Sequence, residues 1–401
     1  MKIDLKILTF VFPVIVSAAI SAPAGAEAFH TSASSTEVIA ETVSAFPEQY
    51  LPCLSSASVS VSASSAALYE PETGSFIYEK DGRTRRGMAS TTKIMTGLVA
   101  VENCPLDRHV KIDPRACGTE GSSIYLKPGE ELTMEELLYA LLLNSANDAA
   151  AAIAYEVGGS IEGFAAMMNA RAEKLALRDT HFMNPHGLDD KEHYTTACDL
   201  AVITAAALKN DCFRTIVSTY KKTIPGSAPG TQRYLVNHNR LLKSFSGSIG
   251  VKTGFTRKCG RCLCGAAERD GLRLISVTLN APDDWNDHKK MLSTGFSMLE
   301  LRTLADKKDH TYQIPVVNGR EQTLTVSIDD DIRAVVEKSS GIPKSEVRLI
   351  KYAVAPIAEG EILGEVIIDL GDGRLIRSPL KAEKSIEKTK EKKRFFGLFP
   401  F

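Results

Sequence analysis

A helix-forming block set between two strand-forming stretches constrains this chain more than any other feature. Ala66-Ala67-Leu68-Tyr69 and Phe76-Ile77-Tyr78-Glu79 flank a turn at Glu72-Thr73-Gly74, which predicts a β-hairpin. Strand character returns at Ser248 to Thr253, then at Arg261 to Glu268 and Leu272 to Leu279. The last two are joined at Asp270-Gly271, a strong hairpin signal. Between these stretches the patterning is helical. Ile94, Met95, Leu98, Val99 and Val101 form an apolar run suited to a buried helix. Thr133-Met134-Glu135-Glu136 is a capping box opening a helix through Leu143. After a break at Asn144 to Asp148, an alanine-rich helix runs to Val157 and ends at Gly158-Gly159. Two more helices are expected over Ile161 to Leu177 and Asp199 to Lys209, and a closing one over His288 to Thr303. This order predicts an α+β fold: an antiparallel sheet with helices on it and a helical insertion.

From about His310 to Leu380 the texture changes. Short strand-like runs alternate with Asn318-Gly319, Gly360-Glu361 and Gly371-Asp372-Gly373, and no long helix is evident. A small all-β C-terminal domain over 310–380 is expected, after a main domain over 61–305. The 401-residue length accommodates both, and 44% apolar with 24% charged residues describes an ordinary folded protein. The net charge of −1 argues against general nucleic-acid binding.

The two ends carry signals of another kind. Lys2 and Lys6 precede an apolar run from Ile7 to Ile20, and Ala24-Gly25-Ala26 follows as a small-x-small cleavage pattern. Residues 1–26 therefore read as a secretory signal peptide, which places the mature protein outside the cytoplasmic membrane. Residues 27–60 are rich in serine and alanine and read as a flexible lead-in. At the other end, Lys381 to Arg394 holds seven Lys/Arg against three Glu, and Phe395 to Phe401 is aromatic. That suits interfacial contact with a membrane surface, although a solvated, frayed tail has the same composition.

Eight cysteines are scattered along the chain, at Cys53, Cys104, Cys117, Cys198, Cys212, Cys259, Cys262 and Cys264. Cys259-x-x-Cys262-x-Cys264 invites a metal reading. However, no second Cys/His pair follows at zinc spacing, and Leu263 to Ala267 reads as strand. Buried or paired thiols are expected, with no metal and no cofactor.

The chemistry is concentrated in three short signals. Ser90-x-x-Lys93 opens the first helix, and residues three apart share a helix face. The helix N-terminus favours a developing oxyanion, and a desolvated lysine can take a serine proton. Alone this signal is weak. Ser218…Lys221 and Ser385…Lys388 have the same spacing, and Ser90 could be an ordinary N-cap. Ser145-Ala146-Asn147 in the helix break and Lys252-Thr253-Gly254 on a strand complete a set known for class A β-lactamases and penicillin-binding proteins. Ser-x-Asn and Lys-Thr-Gly each occur once, in that order. Gly-x-Ser-x-Gly and His-Glu-x-x-His are both absent, so an α/β-hydrolase or zincin has no support.

With these motifs the sequence resembles the D-alanyl-D-alanine carboxypeptidases, the low-molecular-weight penicillin-binding serine peptidases. The likeness extends to Met88 to Val101, Glu120-Gly121-Ser122-Ser123, Asn184-Pro185-His186-Gly187-Leu188, Asn237 to Leu242 and Gly250 to Thr256, covering roughly residues 60 to 300. Ala355-Pro356-Ile357 and Gly360 to Gly364 resemble the family's C-terminal domain, and the basic-aromatic tail resembles its membrane-surface anchor. The resemblance implies a β-lactamase/transpeptidase-like fold and a substrate ending in D-Ala-D-Ala, with β-lactam antibiotics as acylating inhibitors. It also implies roles. Ser90 would be the acylated nucleophile, Lys93 its general base and Ser145 a proton relay to the leaving amine. Asn147 would hold Lys93 and the substrate amide. Lys252 and Thr253 would hold the terminal carboxylate, and Gly254 would leave room for substrate backbone. The N–H groups of Ser90 and Phe255 would form the oxyanion hole. His186, tempting as a base, is expected to be structural. A β-lactamase and a non-catalytic peptidoglycan-binding protein are the rival readings.

Overall fold

The computed structural model describes residues 57–390. Strands β1 (Ser65–Glu70) and β2 (Ser75–Lys80) form the expected hairpin, and its turn is held by the Glu70 carboxylate, which accepts from Glu72 N, Thr73 N and Thr73 Oγ1. A 3₁₀ turn, Ala89–Thr92, leads into α1 (Lys93–Asn103). A small ladder of β3 (His109–Lys111) and β4 (Glu131–Thr133) brings the chain to α2 (Met134–Leu143), whose capping box is present in full: Glu136 N donates to Thr133 Oγ1 and Thr133 N to the Glu136 carboxylate. Helices α3 (Asn147–Gly158), α4 (Ile161–Lys174), α5 (Ala197–Leu208) and α6 (Asp211–Ser218) follow. The hairpin of β5 (Lys221–Pro225) and β6 (Gln232–Val236) and the short α7 (Leu241–Ser244) come next. They lead into β7 (Ser248–Thr256), β8 (Gly260–Arg269), β9 (Leu272–Leu279) and α8 (Asp284–Met298).

These strands make one five-stranded antiparallel sheet in the order β2-β1-β9-β8-β7, with β7 at an edge. Both faces are covered, so the period of two in each strand divides its side chains between two cores. Ala66, Leu68, Leu272 and Leu274 pack with Met291, Leu292 and Phe296 of α8. Ala67, Tyr69, Ile275 and Val277 pack with the helical block. This explains why all six residues of β1 are buried. On the α8 side His288 is sealed between two hydroxyls, Ser276 Oγ at 2.7 Å and Thr278 Oγ1 at 3.0 Å. Burial lowers its pKa to about 3, so the ring is neutral.

Several expectations shift. The closing helix runs Asp284–Met298 instead of His288 to Thr303, and Leu299–Ala305 is a strand, β10. Leu299-Glu300-Leu301-Arg302 satisfies a two-residue period, and pairing with β13 (Ile332–Glu337) selects it. Helix α4 ends at Lys174 instead of Leu177, with Ala176 in the left-handed region (φ +57°). Helix α5 begins two residues early, because the Thr196 side chain caps it by accepting from Asp199 N. The lead-in is already tied down before residue 60: Ala57 N donates to Ile77 O at 2.8 Å, and Asp287 accepts from Ser62 N and Ala63 N.

Beyond β10 the described residues form strands, apart from a 3₁₀ turn at Lys307–His310. Strands β11 (Thr311–Val317), β12 (Thr323–Ser327), β14 (Lys344–Leu349), β15 (Ala353–Val354), β16 (Ile362–Asp369) and β17 (Leu375–Ala382) form a six-stranded sheet ordered β14-β16-β17-β12-β11-β15 around its own core. The start of the basic tail belongs to this sheet. Lys381 and Ala382 lie in β17, Ile386 is buried and bridges Ile357, and Thr389 N donates to Asn318 O. Residues 391–401, the end of the expected membrane contact, lie outside the described residues, as do residues 1–26 and Cys53.

Candidate active site

The first turn of α1 is unusual before any chemistry is considered. Every residue from Lys93 to Ala100 is buried, the lysine included. The preceding 3₁₀ turn starts at Ala89 with φ +48°, and its hydroxyls fold back on it: Thr91 Oγ1 donates to Met88 O at 2.5 Å and Thr92 Oγ1 to Ala89 O at 2.7 Å. Thr92 Oγ1 in turn faces His193 Nε2 at 2.8 Å, while His193 Nδ1 accepts from Met183 N at 3.0 Å. The Nδ1 acceptor leaves the proton on Nε2, and burial lowers this imidazole's pKa to about 4. A neutral histidine therefore braces the turn from behind.

Ser90 is half-buried at the head of the helix, with Lys93 Nζ 3.0 Å from its Oγ. The same nitrogen donates to Asn147 Oδ1 at 2.7 Å and to the carbonyl of His186 at 2.6 Å. Both of these partners are acceptors only. An uncharged amine has two N–H groups for them, and its lone pair is left for the Ser90 hydroxyl. Electrostatics favour that form. Burial lowers the Lys93 pKa well below the ordinary lysine value, the Lys252 cation lowers it further, and Asp148 opposes them.

Asn147 is the first residue of α3, and the loop before α2 fixes it. Its N–H donates to Ser122 O at 2.7 Å and its Nδ2 to Glu120 O at 2.5 Å. The adjacent Asp148, fully buried, gathers that loop by accepting from Ile124 N, Leu126 N and Ser123 Oγ. Ser145 is buried in the break between α2 and α3 in the left-handed region, φ +59°.

The edge strand β7 supplies the remaining candidates. Lys252 is 1% exposed and donates to Thr253 O at 2.9 Å; burial lowers its pKa to about 7. Thr253 is half-buried, and Phe255 is exposed beside it. His238, on the turn before α7, has its pKa lowered by burial and then by the Lys252 charge. Gly254 packs against the Ser90 turn. A Cβ there would lie 3.0 Å from the backbone nitrogens of both Ser90 and Thr91. Its missing side chain therefore lets β7 and that turn approach closely.

Ser90, Lys93 and Asn147 are thus brought into direct contact, and Lys252 lies near enough to act on Lys93 through its charge. Neither the Ser145 nor the Thr253 hydroxyl hydrogen-bonds to them. One group went unpredicted, the His186 carbonyl. The His186 ring turns to its own loop: its Nδ1 accepts from Leu188 N, and burial lowers its pKa to about 3. The loop can press so close because residue 187 is glycine, at φ +86°, where a Cβ would lie 2.0 Å from Ala89 O. The Asn-Pro-His-Gly-Leu run was legible as a motif, but a backbone carbonyl leaves no side-chain signature.

Seven thiols are free among the described residues, and burial raises the pKa of Cys104, Cys117, Cys198, Cys259, Cys262 and Cys264, that of Cys262 to about 12. No group of three or more metal-ligating side chains occurs among the described residues.

A serine hydroxyl at a helix head, held by a buried lysine and flanked by an edge strand, defines a serine hydrolase site of the β-lactamase/transpeptidase type. The D-alanyl-D-alanine carboxypeptidase family model matches residues 53–283, and the penicillin-binding protein 5 C-terminal domain model matches residues 299–388. The chain belongs to the D-alanyl-D-alanine carboxypeptidases. It is similar to the D-alanyl-D-alanine carboxypeptidase DacF of Bacillus subtilis, 32% identical over 81% of this chain and 86% of that one. It also resembles DacC of Escherichia coli, 28% identical over 82% and 85% of the two chains. Among solved structures, DacD from Francisella tularensis superposes with a TM-score of 0.60 at 27% identity, covering 84% of this chain and 96% of that one. The Streptomyces K15 DD-transpeptidase superposes at 0.57 with 34% identity, covering 60% and 100%.

Proposed function

We propose that the protein removes the terminal D-alanine from peptidoglycan stem peptides through an acyl-enzyme on Ser90, and that penicillin acylates the same oxygen. The observation that carries this reading is the Lys93 amine, dehydrated, held on two acceptors, and within 3.0 Å of Ser90 Oγ. As Ser90 Oγ bonds to the scissile carbonyl carbon, its proton passes to Lys93 Nζ. The carbonyl oxygen gathers charge facing the N–H groups of Ser90 and Phe255. Collapse breaks the C–N bond, and the departing amine takes a proton relayed from Lys93 through Ser145. Water, deprotonated by the same lysine, then releases the shortened peptide. Asn147 steers Lys93 and the substrate amide. Lys252, with Thr253, receives the terminal carboxylate, a choice supported by a buried cation that has no carboxylate partner of its own among the described residues.

Export by residues 1–26 and attachment of residues 391–401 to a membrane surface belong to this proposal. Support comes from the sequence pattern of each end and from the cell-wall substrate. No helix among the described residues is long and apolar enough to cross a membrane. The test is D-alanine release from diacetyl-L-Lys-D-Ala-D-Ala by wild type and Ser90→Ala. Release by wild type and none by the variant is expected. Release by both would remove Ser90 from the mechanism, and rapid penicillin turnover by wild type would favour a β-lactamase.

A further inference from the structure

The stretch from Cys212 to Ala267 contains ten Lys and Arg and no Asp or Glu, in a chain that holds 48 of the first kind and 49 of the second. It builds most of α6, the β5–β6 hairpin, α7, β7 and most of β8, so the side of the site that carries Lys252 is made from one cationic run. Three of the ten cations are paired with acids from outside the run: Arg214 with Asp211, Arg233 with Glu130 and Arg261 with Asp284. Glu268, the first acid after it, is paired with Arg273. Arg257 and Lys258 lie past the end of β7, on the side of Asp189. Lys222 and Arg240 turn aside onto rings, Tyr139 at 4.3 Å and Trp285 at 5.9 Å.

Lys221 and Lys243 are left. Both are exposed, and neither has a carboxylate partner among the described residues. Tyr220 holds them together. Lys243 Nζ lies 3.8 Å and Lys221 Nζ 5.9 Å from the centre of its ring, and Lys243 also hydrogen-bonds to its phenol. Two like charges are thus kept on one aromatic ring. The ring is tied to the site through its backbone: Asn237 N donates to Tyr220 O at 2.9 Å, and the next residue, His238, feels the Lys252 charge. The Asn147 side of the site is not one-signed in this way. Glu120 is exposed on the loop that holds Asn147, and Asp148 is buried beside it.

We propose that Lys221 and Lys243 form an anion-gathering entrance, which concentrates ligands ending in a carboxylate at the mouth of the site and passes them to Lys252. This rests on the function proposed above. Lys252 is ill placed to attract from a distance, because it is buried and its pKa is lowered to about 7. Attraction through solvent has to come from ammonium groups that face water, and such attraction is screened by salt, over about 30 Å at 0.01 M and about 8 Å at 0.15 M.

The test follows the second-order rate of Ser90 acylation by benzylpenicillin, which carries a carboxylate, and by its uncharged methyl ester, at low and high NaCl. Between about 20 mM and about 500 mM, wild type should slow about fivefold with the acid and stay within about twofold with the ester. The double variant Lys221→Gln, Lys243→Gln should lose the salt dependence seen with the acid. Lys289→Gln, Lys290→Gln makes the same change of net charge on α8 and should keep it. Each comparison is a ratio within one protein, so a loss of folded enzyme cancels. Equal salt dependence for acid and ester would overturn the entrance and leave the Ser90 reading intact. So would a dependence that survives in Lys221→Gln, Lys243→Gln, or one lost equally in the α8 variant. No acylation of wild type by either compound would remove the penicillin reading of Ser90 and the entrance with it.

Discussion

The sheet-and-helix region and the C-terminal β-region bury very different things. Around the Ser90 turn and its sheet, Lys93, Lys252, Asp148, Glu70, Asp284 and Asp287 are all buried. Beyond Ala305, the only buried polar side chain among the described residues is Ser327; the charges there sit in exposed pairs such as Arg377 with Glu365 and Arg348 with Glu346. Burying an ionisable group costs several kcal/mol before compensation. The β-region shows that this fold family can build a core without that cost. Where the cost is borne, the groups either tie loops to helices, as Asp148 on α3 and Asp287 on α8 do, or have their protonation altered, as Lys93 and Lys252 do.

The comparison can be broken most directly at Lys93. Lys93→Met should lower both D-alanine release and penicillin acylation by about 10³-fold, because the serine loses the base proposed for it. A stopped-flow acylation assay checks this, and near-wild-type acylation would sink the general-base role. Lys252→Met should lower kcat/KM for a free-acid peptide by about 100-fold. It should also raise the unfolding midpoint by a few degrees, since an apolar chain replaces a desolvated amine with one hydrogen bond. With a Lys252 pKa of about 7, the ammonium is lost as pH rises through 7. KM for the free-acid peptide should therefore climb above pH 7 in wild type, and the climb should vanish in Lys252→Met.

Smaller effects follow from the buried imidazoles. His288 and His193 have folded pKa values of about 3 and about 4, below the ordinary 6.5. Between those values the unfolded chain binds protons that the folded one cannot, so stability present above pH 6.5 is lost as pH falls. About 2 kcal/mol per imidazole should be gone by pH 5, and His288→Gln should flatten that acid slope in a pH series of thermal melts. In the β-region, Arg377→Gln removes an exposed pair and should leave the midpoint within about 1 °C of wild type. A larger shift would mean that the surface pairs there stabilise the fold after all.

Much of this architecture was legible from local pattern. The capping box at Thr133, the Asp270-Gly271 turn and strand Leu272–Leu279 stand where the residues place them. Each is decided within a few residues. The missed strands have the opposite property. Strand β10 exists because β13 pairs with it some thirty residues later, and β5–β6 needs Arg233 bridging to Glu130 across more than a hundred. The Ser90–Lys93 contact was readable because helix geometry dictates it. The His186 carbonyl on Lys93 and the tight seat of Gly254 were not, since both depend on how distant segments close on the turn.

The sequence by itself determined which chemical groups are present and which share a helix turn: a hydroxyl and an amine three residues apart, an amide on a second helix, a cation on a strand. Only the tertiary structure decided their state. Desolvation is not a property of a residue. It depends on what covers it, and here α3, the His186 loop and β7 together take water away from Lys93 and Lys252. That removal lowers the pKa of both lysines, Lys93 well below its ordinary value and Lys252 to about 7, the states that the proposed base and carboxylate-holding roles call for.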